Sequence, residues 1–321
     1  MAKDKDLDPT QTGQISRKWE QDFSARFRRL KGQVNRYIDG LNKRNGVYST
    51  STGYVFGQDY QATAEFMNFF EKEIDRILRG LTSTKDESFL DTENWIKLYI
   101  DPSYLRGLSQ SRIDLNEQNV QVSLLPQVAT SVNITGAAAS LSTNAELFRP
   151  VHFSAIQSIY QRDYDWLKDD GKKLATSARV ALTKGIQEGQ GITEISKNIK
   201  KTIDIGYSRS RLIARTETSR AYKEGAINEG ESLSDDLQEE IRMVWVATLD
   251  SRVRSKHLAR HGKSFSFENA RKLINESPWN CRCSIKPMTL DRINDDKRKE
   301  QAAKQRSRVS KKANISSKNR Q

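Results

Sequence analysis

The chain has 321 residues, of which 36% are hydrophobic and 30% charged, with a formal net charge of +13. This length holds one to three domains and a sizeable core, while the modest apolar fraction predicts elongated, well-solvated helical parts rather than one thick globule. The positive excess favours a polyanionic partner such as nucleic acid. No apolar run approaches the roughly 20 residues of a membrane-spanning helix, and Met1–Asp6 has no apolar segment of a signal peptide, so the expectation is a chain that matures in a cytoplasm without a membrane partner.

Residues 1–13 are polar and are expected to be disordered. An N-terminal helical region, 14–119, follows. Ile15, Trp19, Phe23, Phe27, Leu30, Val34, Ile38 and Leu41 step by three or four, the period of an amphipathic helix. Its other faces carry Arg17, Lys18, Arg26, Arg28, Arg29, Lys31 and Arg36, which suit either a solvated basic side or a face touching nucleic acid or a partner helix. Gly46, Gly53 and Gly57 mark a loop or hairpin over 42–59. Phe66, Phe69, Phe70, Ile74, Ile77, Leu78 and Leu81 form one stripe, predicting a helix over 65–81 that faces a core. Residues 89–108 read as helix in two pieces, broken at Asp101-Pro102.

Residues 120–150 read as a linker or extended arm, with a short strand possible at Val120–Leu125. The helical part of the second region spans 151–240: one helix from 152 to 188, a short one capped by Thr193, and a third starting at Ser208 and reaching Glu229. From Met243 the period changes to that of a strand. Strands are expected near 244–248, 264–267 and 283–286, with short helices over 252–260 and 268–275. This is a small α+β module, 241–290. The chain is thus mainly α with a small C-terminal α+β module.

Residues 291–321 are expected to be a disordered basic tail. Between 297 and 321 stand ten basic residues, Lys297, Arg298, Lys299, Lys304, Arg306, Arg308, Lys311, Lys312, Lys318 and Arg320, against the single acid Glu300. Such a segment binds duplex DNA non-specifically through counterion release; the plainer alternative is a solubilising tail.

The scarcest chemistry is concentrated. Of three His and two Cys in the chain, His257, His261, Cys281 and Cys283 fall in one short window. Two Cys form no disulfide framework, and a bridge across one intervening residue would be strained, so a reduced thiol pair is expected.

The helix stretch Ile213-Ala214-Arg215-Thr216-Glu217-Thr218 precedes Trp245-Val246-Ala247-Thr248-Leu249-Asp250-Ser251-Arg252-Val253-Arg254 and His257. Pro278-Trp279-Asn280-Cys281-Arg282-Cys283 follows. In that order these segments resemble the minor head, or head morphogenesis, proteins of tailed bacteriophages, the phage Mu F-like family. The likeness covers roughly residues 150–290, and its motif positions are Arg215, Glu217, Trp245, Asp250, Arg252, Arg254, His257, Pro278, Cys281 and Cys283. It implies a non-enzymatic virion protein of the capsid interior that assembles in the host cytoplasm. The implied partners are the portal protein, the scaffolding or major capsid protein, and packaged double-stranded DNA whose ejection it influences.

Three chemical readings of the window stay open. Asp250, His257, Cys281 and Cys283 are an adequate donor set for tetrahedral zinc, with His261 as the alternative to Asp250. Alternatively Asp250 caps the helix carrying His257, Arg252 or Arg254 pairs with a carboxylate, and both Cys are small buried apolar residues. The third reading is catalysis, a metal-dependent nuclease or thiol hydrolase built on those same four residues. No phosphate loop or His-Glu-x-x-His motif accompanies them. Arg215 is expected to pair with an acid of the α+β module, and Trp245 and Trp279 to be core aromatics.

Overall fold

The computed structural model describes residues 8–44, 60–79, 96–125, 149–188, 190, 192–277 and 279–318. The described elements are α1 (Gly13–Arg44), α2 (Tyr60–Arg79), α3 (Lys97–Asn116), α4 (Pro150–Gln187), α5 (Ile192–Leu237), β1 (Ile241–Val246), α6 (Ser255–Arg260), β2 (Ser264–Phe265), α7 (Phe267–Asn275), β3 (Ser284–Thr289), α8 (Leu290–Asn294) and α9 (Asp296–Lys318). They form two units. A helical unit takes residues 18–96 and 160–214, and a sheet unit takes 1–17, 97–159 and 215–321. The architecture is mainly helical with one small antiparallel sheet, as composition and periodicity predict.

In the helical unit the apolar stripe of α1 is the core. Trp19, Phe23, Phe27, Leu30 and Val34 are all buried, and each lies three or four residues from the next, so they share one helix face. Trp19 and Phe23 stack at 6.0 Å, and Phe27 meets Tyr207 of α5 at 5.8 Å. Phe66, Phe70 and Ile74 of α2 are buried too, with Tyr37 stacked on Phe69 at 4.6 Å. Full burial of each such side chain is worth roughly 1.5–3 kcal/mol. The basic faces stay outside and make ion pairs, Lys31 with Asp204 at 2.5 Å and Arg179 with Glu71 at 2.6 Å. The expected loop at 42–59 begins as helix through Arg44, and its remainder to residue 59 lies outside the described residues, as do Leu81 and residues 126–148 of the expected 120–150 arm.

The sheet unit packs by close backbone approach. A Cβ on Gly107 of α3 would stand 1.9 Å from the carbonyl oxygen of Tyr222, and one on Gly225 of α5 would stand 2.3 Å from that of Tyr104. Only hydrogen fits at either position, so the two helices cross there almost backbone to backbone. The Ser111 hydroxyl, on the same side of α3, donates to the Ala226 carbonyl at 3.2 Å. Pro102 lies inside α3 and does not break it, contrary to the expected two pieces. It stands one turn past the start, where its missing N–H removes a single hydrogen bond.

The sheet has strand order β2-β1-β3, all antiparallel. Along β1, Met243 packs into a core with Ala226, Ile227, Ala270, Ile274 and Ile285, and Trp245 packs with Ala247, Cys281 and Cys283. Val244 points to the opposite face, against Met288 and Ile293, as the two-residue period of a strand requires. Gln118 covers the free edge of β3: its amide donates to the Pro287 carbonyl at 3.3 Å and accepts from the Thr289 N–H at 3.1 Å. Val120–Leu125 is extended coil without strand pairing, its Val120 and Val122 packed on Leu115, Leu233 and Ile241.

Two sequence expectations need correction. The short helix after Thr193 and the third helix from Ser208 are one helix, α5, of 46 residues. No proline interrupts the stretch, and Gly206 sits in the helix against Leu174 and Phe27, where a small residue suits packing rather than ending it. The 291–321 segment, expected as a disordered tail, folds as α8 and α9 through Lys318. Its Ala, Lys, Gln and Arg content favours helix, and it docks mainly through polar groups, which leave no apolar stripe to read. Arg298 donates to the carbonyls of Gly262 and Ile293 at 3.2 Å, Arg306 donates to the His261 carbonyl, and Gln305 bonds His261 Nε2 at 2.8 Å. Gly262, at φ +78°, would drive a Cβ to 2.5 Å from that of Ala302. No helix among the described residues is long and apolar enough to cross a membrane.

Candidate functional site

The His–Cys window closes into one buried cluster. His257 is the third residue of α6, and Cys281 and Cys283 lie one residue apart on the extended segment entering β3, so both sulfurs fall on the same side of the chain. His257 Nδ1 is 3.3 Å from Cys281 Sγ and 3.6 Å from Cys283 Sγ. All three residues are at most 5% exposed. Trp245 walls the cluster, its ring edge-on to the His257 ring at 5.4 Å, and Arg260 lies over the Trp245 ring at 5.6 Å.

The Cys segment is held from α5. Thr216 Oγ1 accepts from the Asn280 N–H at 2.9 Å, and the Ser219 hydroxyl donates to the Cys281 carbonyl at 3.2 Å. Asn280 takes a left-handed φ of +61°, the conformation that Asn tolerates better than most residues, and this turns the chain between Trp279 and Cys281. Lys223, 2% exposed, brings a positive charge to both sulfurs. Thr216, Ser219 and Lys223 stand three and four residues apart, one face of α5. Sequence reading missed this trio; the available signal was a polar stripe at helical spacing directly after Arg215.

Both thiols are free, as expected. Cys283 donates its S–H to the Cys281 sulfur, and this bond, with the charge of Lys223 and a hydrogen bond from His257, holds Cys281 down to about 3 against its own burial. The same shared proton and burial push Cys283 up. One thiolate among one Lys, one His and one thiol is the state the geometry supports without a metal.

Asp250 does not join the cluster. Its carboxylate receives Arg282 at 2.6 and 2.9 Å and the Arg252 N–H at 3.0 Å. Burial works to raise it, but these bonds and charges outweigh that and keep it below the ordinary carboxylate range. The metal set narrows to His257, Cys281 and Cys283, and the expected pairing of Asp250 as a cap of α6 is replaced by an ion pair with Arg282. His261, the alternative ligand, is engaged elsewhere: Nδ1 accepts from the Ala247 N–H at 3.1 Å and Nε2 meets Gln305. Arg254 donates to the Trp279 carbonyl at 3.2 Å. Trp245 is fully buried as expected, whereas Trp279 is 38% exposed; the left-handed turn at Asn280 takes it off the face that the two Cys share. Glu217 is buried and lies 3.6 Å from Arg220, while Arg215 is exposed. Pro278 lies outside the described residues.

A second buried polar network, which sequence reading did not find, centres on the third histidine. Tyr104 receives the Asn228 amide at 2.8 Å and meets His152 Nδ1 at 3.0 Å; His152 Nε2 is 3.1 Å from Glu229, which also pairs with Arg112. Arg112 further donates to Ser123, closing the 120–125 coil against the helices. Burial raises Tyr104 well above the usual phenol range. The scarcity of His was the available signal, but His152 has no neighbour in sequence that marks it.

Residues 176–286 match the profile described as phage Mu protein F like protein. That segment is similar to the phage Mu F-like family, the likeness that the sequence motifs carry. The matched segment contains the whole His257–Cys281–Cys283 cluster and its α5 supports. The chain is also 20% identical over 296 residues to minor head protein GP7 of Bacillus phage SPP1, covering 88% of this chain and 84% of that protein. It is 33% identical over 108 residues to an uncharacterized protein of Methanocaldococcus jannaschii, covering 33% of this chain and 16% of that protein. The chain therefore spans under a fifth of the archaeal relative and most of the phage one. No solved structure matches it.

Proposed function

We propose that the chain is a minor head protein of a tailed phage that acts in head morphogenesis by binding rather than by turnover. The observation that carries this reading is the likeness to the SPP1 minor head protein over most of both chains. The finer reading places it in the capsid interior near the portal, in contact with scaffolding or major capsid protein and with packaged DNA, where it influences ejection. Exposed Lys297, Lys299, Lys304, Arg308 and Lys311 on α9 and the net charge of +13 support the DNA part. Arg298 and Arg306 are committed to holding α9 in place and are not counted as phosphate contacts; the side chains of Lys312 and Lys318, and Arg320, lie outside the described residues.

The test has two arms. Mass spectrometry of purified DNA-filled heads should find the chain as a low-copy component; its absence from heads, with all of it free in the lysate, would refute the assignment. For DNA, binding to random-sequence duplex across a salt series is compared with a variant carrying Gln at the five exposed α9 positions. Removing five phosphate contacts flattens the log–log salt slope by up to about 4, and an unchanged slope removes α9 from the DNA contact. Substitution is preferable to deletion of 297–321, because deletion also removes the Arg298, Gln305 and Arg306 docking contacts.

The alternative, an enzyme built on the His–Cys cluster, has one observation in its favour: the Cys281 sulfur lies 3.3 Å from His257 Nδ1. That sulfur is nevertheless buried, and Asp250 is tied to Arg282. Plasmid nicking or ester hydrolysis that is lost in Cys281→Ser would favour the enzyme.

A further inference from the structure

We propose that His257, Cys281 and Cys283 bind one zinc-class divalent cation, which clamps α6 to the chain entering β3. The inference does not rest on the head-protein reading, and its test is indifferent to that reading's outcome.

The geometry fits such an ion. Zinc bonds of about 2.3 Å to sulfur and 2.0–2.1 Å to nitrogen, arranged tetrahedrally, put neighbouring donor atoms about 3.6 Å apart. The two sulfur–nitrogen separations here are 3.3 and 3.6 Å, and all three donors lie within 4.8 Å of one another. Two sulfurs and an imidazole are the soft and borderline donors that select zinc over calcium or magnesium. These are both cysteines of the chain and one of its three histidines.

The surroundings agree. The donors are presented by two separately fixed pieces, α6 and the segment pinned to Thr216 and Ser219, beside the wall made by Trp245. This is a preformed site, in which little ordering remains to oppose binding. A cation next to Lys223 would be opposed on its own, but the ion arrives with two thiolates, so the ion and its sulfur ligands together are neutral. The lysine then faces sulfur rather than bare metal. The Thr248 backbone N–H bonds the Cys283 sulfur, which fixes that donor in place.

Three protein donors leave one coordination position. Among the described residues no carboxylate fills it, since Asp250 is held by Arg282 and Arg252. Thr248 buries a hydroxyl, 1% exposed, that has no hydrogen-bond partner, and a water completing the metal's shell is the kind of partner it lacks. The substitution of a water for a fourth protein ligand makes the site exchangeable, unlike a closed structural site.

The experiment uses the full chain purified without chelator. Elemental analysis should find about one zinc per chain, falling at least tenfold in Cys283→Ser and in His257→Gln, and staying in Asp250→Asn. Because the first two variants could lose metal simply by misfolding, the wild-type chain is also stripped and titrated with cobalt. A visible spectrum with sulfur-to-cobalt charge transfer, saturating at one equivalent, supports the site. So does protection of both thiols from a disulfide reagent, in guanidinium-free buffer, that is relieved by chelator. Zinc near background together with a cobalt spectrum lacking sulfur charge transfer would overturn it. Loss of metal from a folded Asp250→Asn chain would overturn the three-residue assignment.

Discussion

The two units of this chain are stabilised by opposite means. The helical unit buries an aromatic and aliphatic stripe and leaves its ion pairs outside, as with Arg179–Glu71, whose side chains are 61% and 46% exposed. The sheet unit buries its polar groups: Arg112 is 7% exposed and Glu229 fully enclosed, with His152 beside them. It also brings two helices together through glycines. The lesson is that the same kind of contact carries different weight in the two settings. An exposed pair contributes about 0–1 kcal/mol, whereas removing one partner from a buried pair strands a charge that burial has cut off from water.

That contrast can be broken or sharpened by substitution, beginning with the largest effect. Glu229→Ala strands Arg112 and His152 and should cost about 3–5 kcal/mol, read as a lower denaturant midpoint. Its counterpart Glu71→Ala should stay within about 0.5 kcal/mol. Equal costs would show that Glu229 is hydrated and that the contrast between the units is false. Gly107→Ala places a methyl group into the Tyr222 carbonyl and should cost about 3 kcal/mol as the helices are forced apart. In the helical unit, Gly32→Ala meets nothing within 4 Å and should instead stabilise by about 0.5–1 kcal/mol through helix propensity and a less flexible unfolded chain.

Asp250 supplies a smaller, pH-dependent effect. Its carboxyl is held below the ordinary value by Arg282 and Arg252, so the folded state binds this proton less readily than the unfolded state. The stabilisation is therefore present above the unfolded value of about 3.9 and is lost as pH falls through the lower folded value. Asp250→Asn should cost about 1 kcal/mol at neutral pH and progressively less below pH about 4. A cost that persists undiminished at pH about 2 would mean that shape rather than charge is what Asp250 contributes.

The same division explains what the amino-acid pattern made legible. Trp19 to Val34 could be read directly, because burial of one helix face imposes a period on the sequence. The three strands and the short helices α6 and α7 of the sheet unit were legible to within a few residues for the same reason. The site was half legible. Rarity brought His257, Cys281 and Cys283 to notice, but it could not say that Asp250 turns away to Arg282, since a salt bridge between residues 32 apart leaves no periodic trace. Lys223 and the Tyr104–His152–Glu229 chain were invisible for a related reason. A buried polar residue looks like a surface one until its partner is known. The α9 helix was misread because it is held by backbone carbonyls, to which any arginine in any pattern can donate.

That manner of holding α9 has a consequence for how the helix responds to its surroundings. Its inner side is fastened by Arg298 and Arg306 to uncharged carbonyl oxygens and by Gln305 to His261, while its outer side exposes lysine and arginine charge, with Lys299 and Lys304 paired to Asp296 and Glu300. Ionic strength screens charge against charge and has far less hold on a hydrogen bond to a carbonyl. The helix would therefore act as a handle whose grip and whose load obey different rules: dissolved ions would strip any polyanion held on the outer side while the inner side stays fastened.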